Sequence, residues 1–261
     1  MKESKAVNAK IRDAEKPHYL ENASPFIFCI VLIIGLQLFL TLKGIPEFVF
    51  PKPTSIGSAL AGSWQELGIN MLITLAEILA GYVLAVAIGI LIAILITQFP
   101  LVNSALTPYT VFLATMPMIA LIPLLMIWLG FGMKVRIIVV TLQAFPVVMM
   151  NAATGFNNVD PLKLELMKSL GAGRLQTLRM VIIPDAMPHI FTGLRLAGIF
   201  ATTAAICSEF SGGTEGLGVQ VITATSYCKM DIAFAGILLV AVIGVSLYQF
   251  IKLLERKIVR R

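Results

Sequence analysis

Apolar residues along this chain fall into six long runs, at residues 26–42, 69–97, 106–129, 135–150, 190–209 and 232–254, separated by short polar or basic stretches. Each is near or above the ~20 residues that an α-helix needs to cross a bilayer. The pattern predicts an all-α polytopic membrane protein with six transmembrane helices. The second run is longer than a bilayer requires, so it tilts or protrudes. Along it Ala76, Ala80, Ala85 and Gly89 recur on one side, and small residues let helix backbones approach closely in lipid. The third run holds Pro108, Pro117 and Pro123, which remove backbone donors and kink the helix. The first run is long for a signal-peptide core and no small-x-small site follows it, so it reads as an uncleaved span.

The polar stretches complete the layout. Residues 1–24 form a basic arm, and residues 25–261 form a single transmembrane domain. Residues 43–54 are irregular, with Pro46, Pro51 and Pro53. They lead into a mildly amphipathic helix at 55–67 that lies on the surface. The glycine cluster Gly212-Gly213-Thr214-Glu215-Gly216-Leu217-Gly218 reads as a flexible external turn.

Composition removes several classes. Hydrophobic residues make up 58% of the 261 and charged residues 13%, against about 25% charged in an ordinary soluble domain. A soluble core of this size does not hide that much apolar surface, and disorder needs the opposite composition. The net charge of +6 reflects basic residues gathered on the cytoplasmic side rather than a nucleic-acid partner. The arm, the 160–184 loop and the C-terminal stretch carry fourteen basic residues between them, while the opposite face carries Lys43, Lys52, Lys134, Arg136 and Lys229. With six spans, that bias puts both termini in the cytoplasm. Three cysteines and two histidines support neither a disulfide framework nor a metal site. No cofactor is expected. There is no catalytic Ser/His/Asp set and no H-E-x-x-H. No G-x-x-x-x-G-K-[ST] phosphate loop occurs either, so the chain has no cradle of its own for nucleotide.

The loop at 160–184 reads D-P-L-K-L-E-L-M-K-S-L-G-A-G-R-L-Q-T-L-R-M-V-I-I-P. Asp160 caps a helix that has Pro161 at its first position. Leu162, Leu166 and Leu170, with Met167, form an apolar stripe at helical spacing. Gly171 and Gly173 let the chain turn, and a second helix at 174–183 stops before Pro184. Such a loop either packs on its own bundle or docks into a soluble partner. Polar residues inside the runs are candidates for a solute path: Glu77, Thr115, Gln143, Thr202, Thr203 and Glu209. The plainer reading is a hydrogen bond between helices for Thr115, Gln143, Thr202 and Thr203, reach to water from near a helix end for Glu77, and an ion pair with Lys134 or Arg136 for Glu209. Arg195 reads as a structural pair.

Glu165, Gly171 six residues on, and Val181-Ile182-Ile183-Pro184 resemble the EAA loop of ABC importer permeases. That loop has a Glu-Ala-Ala triplet, a glycine six residues after the Glu, and an Ile-x-Leu-Pro ending. Here Leu166-Met167 replace the two alanines, and Val181 and Ile183 are further departures. The stretches Phe50-Pro51-Lys52-Pro53-Thr54, Pro123-Leu124-Leu125-Met126-Ile127-Trp128-Leu129-Gly130, Asn158-Val159-Asp160-Pro161, Thr192-Gly193-Leu194-Arg195 and Gly216-Leu217-Gly218 resemble the nitrate/sulfonate/taurine/bicarbonate branch, over roughly residues 50–255.

The resemblance implies a type I permease fold of the methionine/sulfonate kind in a bacterial or archaeal plasma membrane. It implies a second copy of the chain, a cytoplasmic ATP-binding-cassette ATPase dimer that does the hydrolysis, and an extracytoplasmic substrate-binding protein. It makes Glu165, Leu166, Leu170, Gly171, Ala172 and Pro184 the coupling set. Glu165 would touch the ATPase, Gly171 would form the elbow and Pro184 would end the second coupling helix. Solutes of the branch are small anions such as nitrate, sulfonates and bicarbonate, or vitamin precursors. Glu77 departs from the branch, which more usually has Arg there. The competing class is a secondary transporter or channel, which favours buried acid pairs and internal repeats. No repeat is visible here, and only Glu77 and Glu209 would serve as acids.

Overall fold

A computed structural model of the protein describes residues 18–99, 102, 105, 108, 109, 112 and 115–259, with side chains from residue 27 onward. Every regular element among them is helical. In chain order these are α1 (His18–Lys43), α2 (Pro53–Gly62), α3 (Trp64–Gln98), α4 (Met118–Leu129), α5 (Met133–Asn157), α6 (Pro161–Ser169), α7 (Arg174–Thr177), α8 (Ile183–Gly212), α9 (Leu217–Ser226) and α10 (Met230–Ile258). A π-helical turn, Leu178–Ile182, joins α7 to α8. Trp64–Gln98, Met133–Asn157, Arg174–Gly212 and Met230–Ile258 are each long and apolar enough to cross a membrane alone, and Ile27–Lys43, Met118–Leu129 and Leu217–Ser226 are shorter apolar helices. The expected all-helical membrane architecture is therefore observed, with apolar helix in each of the six predicted runs.

Four local expectations change. Helix α1 begins at His18, inside the stretch expected to be an arm, whose first 17 residues lie outside the described set. The third run is not one helix. The chain breaks at Met116 and Pro117, and Pro117 becomes the N-cap of α4. A proline there loses no hydrogen bond that a helix start would have made. The turn after α8 is not merely flexible, since it contains α9. Finally, Pro184 does not end the second loop helix, because helix runs unbroken from Arg174 to Gly212. The Ile183 N–H reaches back to Leu178 O across the wide π turn. Pro184 follows directly on that wide turn, which accommodates the donor it lacks.

The bundle is built on three stripes of buried residues spaced four apart. On α3 these are Glu77, Gly81, Ala85, Gly89 and Ala93. On α5 they are Arg136, Val140, Ala144, Val148 and Ala152. On α8 they are Gly193, Ala197, Ala201, Ala205 and Glu209. Four-residue spacing keeps each set on one helix face. The small residues bring the backbones together: a Cβ added to Gly81 would stand 2.5 Å from Val140 Cβ, and one on Gly89 would stand 2.8 Å from Val148 Cβ. The small-residue side of α3 is thus displaced by one position from the expected one. Ala76 is exposed, and Gly81 and Ala93 take up the contact. In lipid such contacts hold through dispersion and packing rather than through exclusion of water.

Around this core α9 folds back on α10, where Val221, Ala224 and Ala233 form a small buried cluster. Helix α2 is steadied by Phe50, just before it, whose ring meets Phe234 of α10 edge-on at 5.1 Å between centroids. Helices α3, α5 and α10 run toward the end that carries the 160–184 loop, the loop end. The opposite end, carrying the turn from α8 into α9, is the far end.

Candidate functional site

Each end of the bundle holds a cluster of the residues singled out above. At the loop end, the Asp160 carboxylate accepts the Leu162 N–H at 2.9 Å and Pro161 opens α6. Helix α6 ends in a Schellman turn. Gly171 N–H bonds Lys168 O at 3.1 Å and Ala172 N–H bonds Met167 O at 3.0 Å. Gly171 has φ +70° with nothing within 4 Å of a Cβ placed there, so glycine is required by backbone conformation and not by space. Met167 and Leu178 are buried and hold the loop to the bundle, while Leu162, Leu166 and Leu170 are 72%, 60% and 72% exposed. Glu165 and Pro184 are also exposed. Lys163 Nζ pairs with Asp185 Oδ1 at 2.5 Å, tying α6 to the base of α8. The pair lies on the wall of an open cavity of about 550 Å³ that Met180, Pro184 and Ile258 also line.

At the far end, the three stripes each finish in a charge. Arg136 Nη1 lies 2.5 Å from Glu77 Oε1 and 4.0 Å from Glu209 Oε1, with all three side chains at most 4% exposed. Nη1 also donates to Glu215 O at 2.9 Å. Glu209 is well satisfied: it accepts from Thr74 Oγ1 at 2.6 Å and from Gly218 N–H at 2.5 Å. Glu77 is held by the Arg136 guanidinium and lies beside the Glu209 carboxylate, while Arg136 Nε has no hydrogen-bond partner.

The same residues cap α9. Its N-cap is Gly216, which has no side chain to offer. Asn70 Oδ1 accepts Gly216 N–H at 2.8 Å, Thr74 Oγ1 accepts Leu217 N–H at 2.9 Å, and Glu209 accepts Gly218 N–H. Asn70 also donates to Gln220 at 3.0 Å. Donors at a helix start buried away from water need such partners, and a carboxylate suits the positive end of the helix. Gly216 has φ +114°, and a Cβ there would fall on the Glu209 carboxylate.

The remaining candidates are scattered. Thr202 and Thr203 bond back to Gly198 O and Ile199 O on their own helix. They line an open cavity of about 440 Å³ between α8 and α10 together with Tyr248 and Gln249. Thr115 is exposed and bonds Phe112 O. Gln143 is half-buried on α5. No hydrogen bond joins Thr115 or Gln143 to the other candidates among the described residues. Arg195 pairs with Glu255, donates to Thr192 and lies over the Tyr248 ring, the structural pair expected of it. The sequence reading overlooked Asn70, Thr74 and Gly216 as one unit with Glu209. The available signal was register: Thr74 and Glu77 share a face with Gly81.

Taken together, the helical bundle and its exposed, capped and elbowed loop define the permease component of an ABC importer. Residues 85–260 match the family described as binding-protein-dependent transport system inner membrane component, and the chain belongs to that family. It is 32% identical to the taurine transport system permease protein TauC of Escherichia coli, over 82% of this chain and 78% of that one. It is 28% identical to the riboflavin transport system permease protein RibX of Chloroflexus aurantiacus, over 97% and 95% of the two chains. Its fold is similar to a chain in the structure of inward-facing conformations of the MetNI methionine ABC transporter, with TM-score 0.66 at 17% identity, covering 76% of this chain and 99% of that one. The relatives are transport components, not catalysts, and nothing found favours a secondary transporter or channel.

Proposed function

We propose that the loop end faces the cytoplasm and that α6 with its Gly171 turn seats in an ATP-binding-cassette ATPase. Glu165, Leu166, Leu170, Gly171, Ala172 and Pro184 form that joint. The observation that carries this reading is the row of exposed leucines on α6. They stand on a backbone fixed by the Asp160 cap and the Schellman turn, and none of the described residues covers them. An apolar face held rigid in this way suits a partner groove. Because α7, the π turn and α8 form one helical path, motion at the joint reaches the membrane without a hinge between them.

In this reading two copies of the chain enclose the path, an ATPase dimer drives it, and a binding protein presents the solute at the far end. The hydroxyls of Thr202 and Thr203, with Tyr248, Gln249 and Gln143, are the polar groups we assign to the path. Thr115 is a further candidate near the break before α4. Glu77 and Glu209 we assign to the far-end cluster. Both intramembrane guanidiniums, Arg136 and Arg195, are matched by carboxylates, so neither is left over as an anion site. Selection of the solute therefore falls to the binding protein. The relatives' solutes, taurine and riboflavin, set its range as small and polar.

The test is co-purification of the ATPase with tagged permease. Glu165→Ala and Gly171→Val should insert normally yet retain about tenfold less ATPase, the loss of a charged contact or of the turn's geometry. Full retention with full transport would sink the joint. Single cysteines at Ser4 and Thr214, in a background without native cysteines, should label from opposite sides of the membrane.

A further inference from the structure

The geometry points to Arg136 as a latch: it seats α9 and the turn before it on the far ends of α3 and α8, and its release lets that segment lift. The inference rests on the orientation proposed above only for which side the segment opens to.

Three observations carry it. First, α9 is ten residues long, about 15 Å, so it enters and leaves at the far end without crossing. Second, the start of its seat is polar, although Leu217 is buried beside it. The N–H groups of Gly216, Leu217 and Gly218 are held by Asn70, Thr74 and Glu209, and Arg136 holds the turn through Glu215 O. Bonds of this kind exchange for water at small net cost when the seat opens. Third, the seated state leaves Arg136 Nε buried with no hydrogen bond and holds the Glu77 and Glu209 carboxylates close together out of water behind one guanidinium. Water reaching the site on opening would satisfy Arg136 Nε and screen the two carboxylates, so the closed seat carries a built-in opposing term.

The two carboxylates do different work. Glu209 grips the segment directly, with two donors of its own. Glu77 holds none of the segment's N–H groups; it meets Arg136 and lies beside Glu209. Arg136 therefore stands between a carboxylate that needs it and a carboxylate that is already satisfied. Taking away the guanidinium alone leaves Glu77 uncompensated beside Glu209, and the repulsion falls on the grip. Taking away the guanidinium and the Glu77 charge together leaves Glu209 holding Thr74 and Gly218 as before.

That asymmetry supplies a test that loss of packing would not pass. Leu217 is fully buried at the first turn of α9. A Leu217→Cys reporter, in a chain without native cysteines and assembled with its ATPase in cells, reads the opening through its rate of labelling by an impermeant maleimide. Arg136→Gln should raise that rate at least about tenfold, and Glu77→Gln with Arg136→Gln should return it to within about twofold of the parent. Equal rates in Arg136→Gln and the parent would overturn the latch, as would equal rates in the single and double variants. If Arg136→Gln fails to insert, the double variant decides: parent-like insertion and labelling support the latch, and failure overturns it. Labelling only after the cells are permeabilised would overturn the orientation and leave the latch to be judged from the same ratios.

Discussion

Arg136 and Lys163 each meet a carboxylate at 2.5 Å, at opposite ends of the same bundle, yet the side chain of the first is 4% exposed and that of the second 47%. At the far end the charges terminate the three stripes that pack the core, and every one of their contacts is to the chain's own residues. At the loop end the ion pair is partly exposed, near a row of leucines that no described residue covers. The far end is thus held by buried contacts within the chain, and its polar groups fix positions. The loop end, in the reading proposed above, is completed by the ATPase. The environment decides what an ion pair contributes: an exposed one is worth ~0–1 kcal/mol, while breaking a buried one costs ~3–5 kcal/mol because a charge is left without compensation.

The largest effect expected from this contrast is that of Arg136→Met. It leaves Glu77 and Glu209 facing each other out of water and should lower the stability of the purified permease by about 3–5 kcal/mol, read as thermal unfolding in detergent. An unchanged unfolding temperature would mean that the far end is no more dependent on its charges than the loop end.

Two glycines sharpen the comparison, since both hold left-handed backbone. At Gly216 an alanine meets that strain, ~1–3 kcal/mol, and also displaces the Glu209 carboxylate from the start of α9. Gly216→Ala should therefore destabilise the fold by the strain and more. At Gly171 a valine meets the strain alone, because open space surrounds its Cβ. Gly171→Val should leave the unfolding of the bundle within about 1 kcal/mol of the parent, its ~1–3 kcal/mol of strain being local to the loop, while ATPase retention and transport fall. Equal loss of bundle stability in the two variants would erase the distinction between the ends.

The loop end was legible in the sequence because its determinants are local. The cap at Asp160, the leucine spacing and the glycine lie within twelve residues, and each acts on its neighbours. The six runs were legible for the same reason, since crossing a bilayer demands length and apolarity in one continuous stretch. Helix α9 was not legible. Its N-terminal donors are answered by Asn70 and Thr74, more than 140 positions away, so no capping residue marks its start. Glycines that pack against a distant carboxylate look, in sequence, like a loose turn. The buried triad was partly legible: Arg136 appeared among the partners proposed for Glu209, but Glu77 was set near a helix end and free to reach water. Reading α3 as Ala76, Ala80, Ala85 and Gly89 mixed two faces. Counting by four from Glu77 through Gly81, Ala85, Gly89 and Ala93 puts the acid on the packing face. Pro184 misled because the π turn that accommodates it leaves no local signature.

The smallest effect expected is that of Lys163→Ala. The pair with Asp185 is short, but nearly half of the Lys163 side chain is in water. Screening and the entropy of holding a long side chain leave it ~0–1 kcal/mol. The position of α6 depends instead on the Asp160 cap, on the Schellman turn at Gly171, and on burial of Met167 and Leu178. None of these involves the lysine head group. Lys163→Ala should therefore leave thermal unfolding unchanged within error and ATPase retention within about twofold, since the apolar contact surface stays where it was. A large drop in ATPase retention with unfolding unchanged would show that the pair holds the angle of α6 against α8. The loop end would then share with the far end the use of charge to fix position, and the contrast between them would reduce to exposure alone.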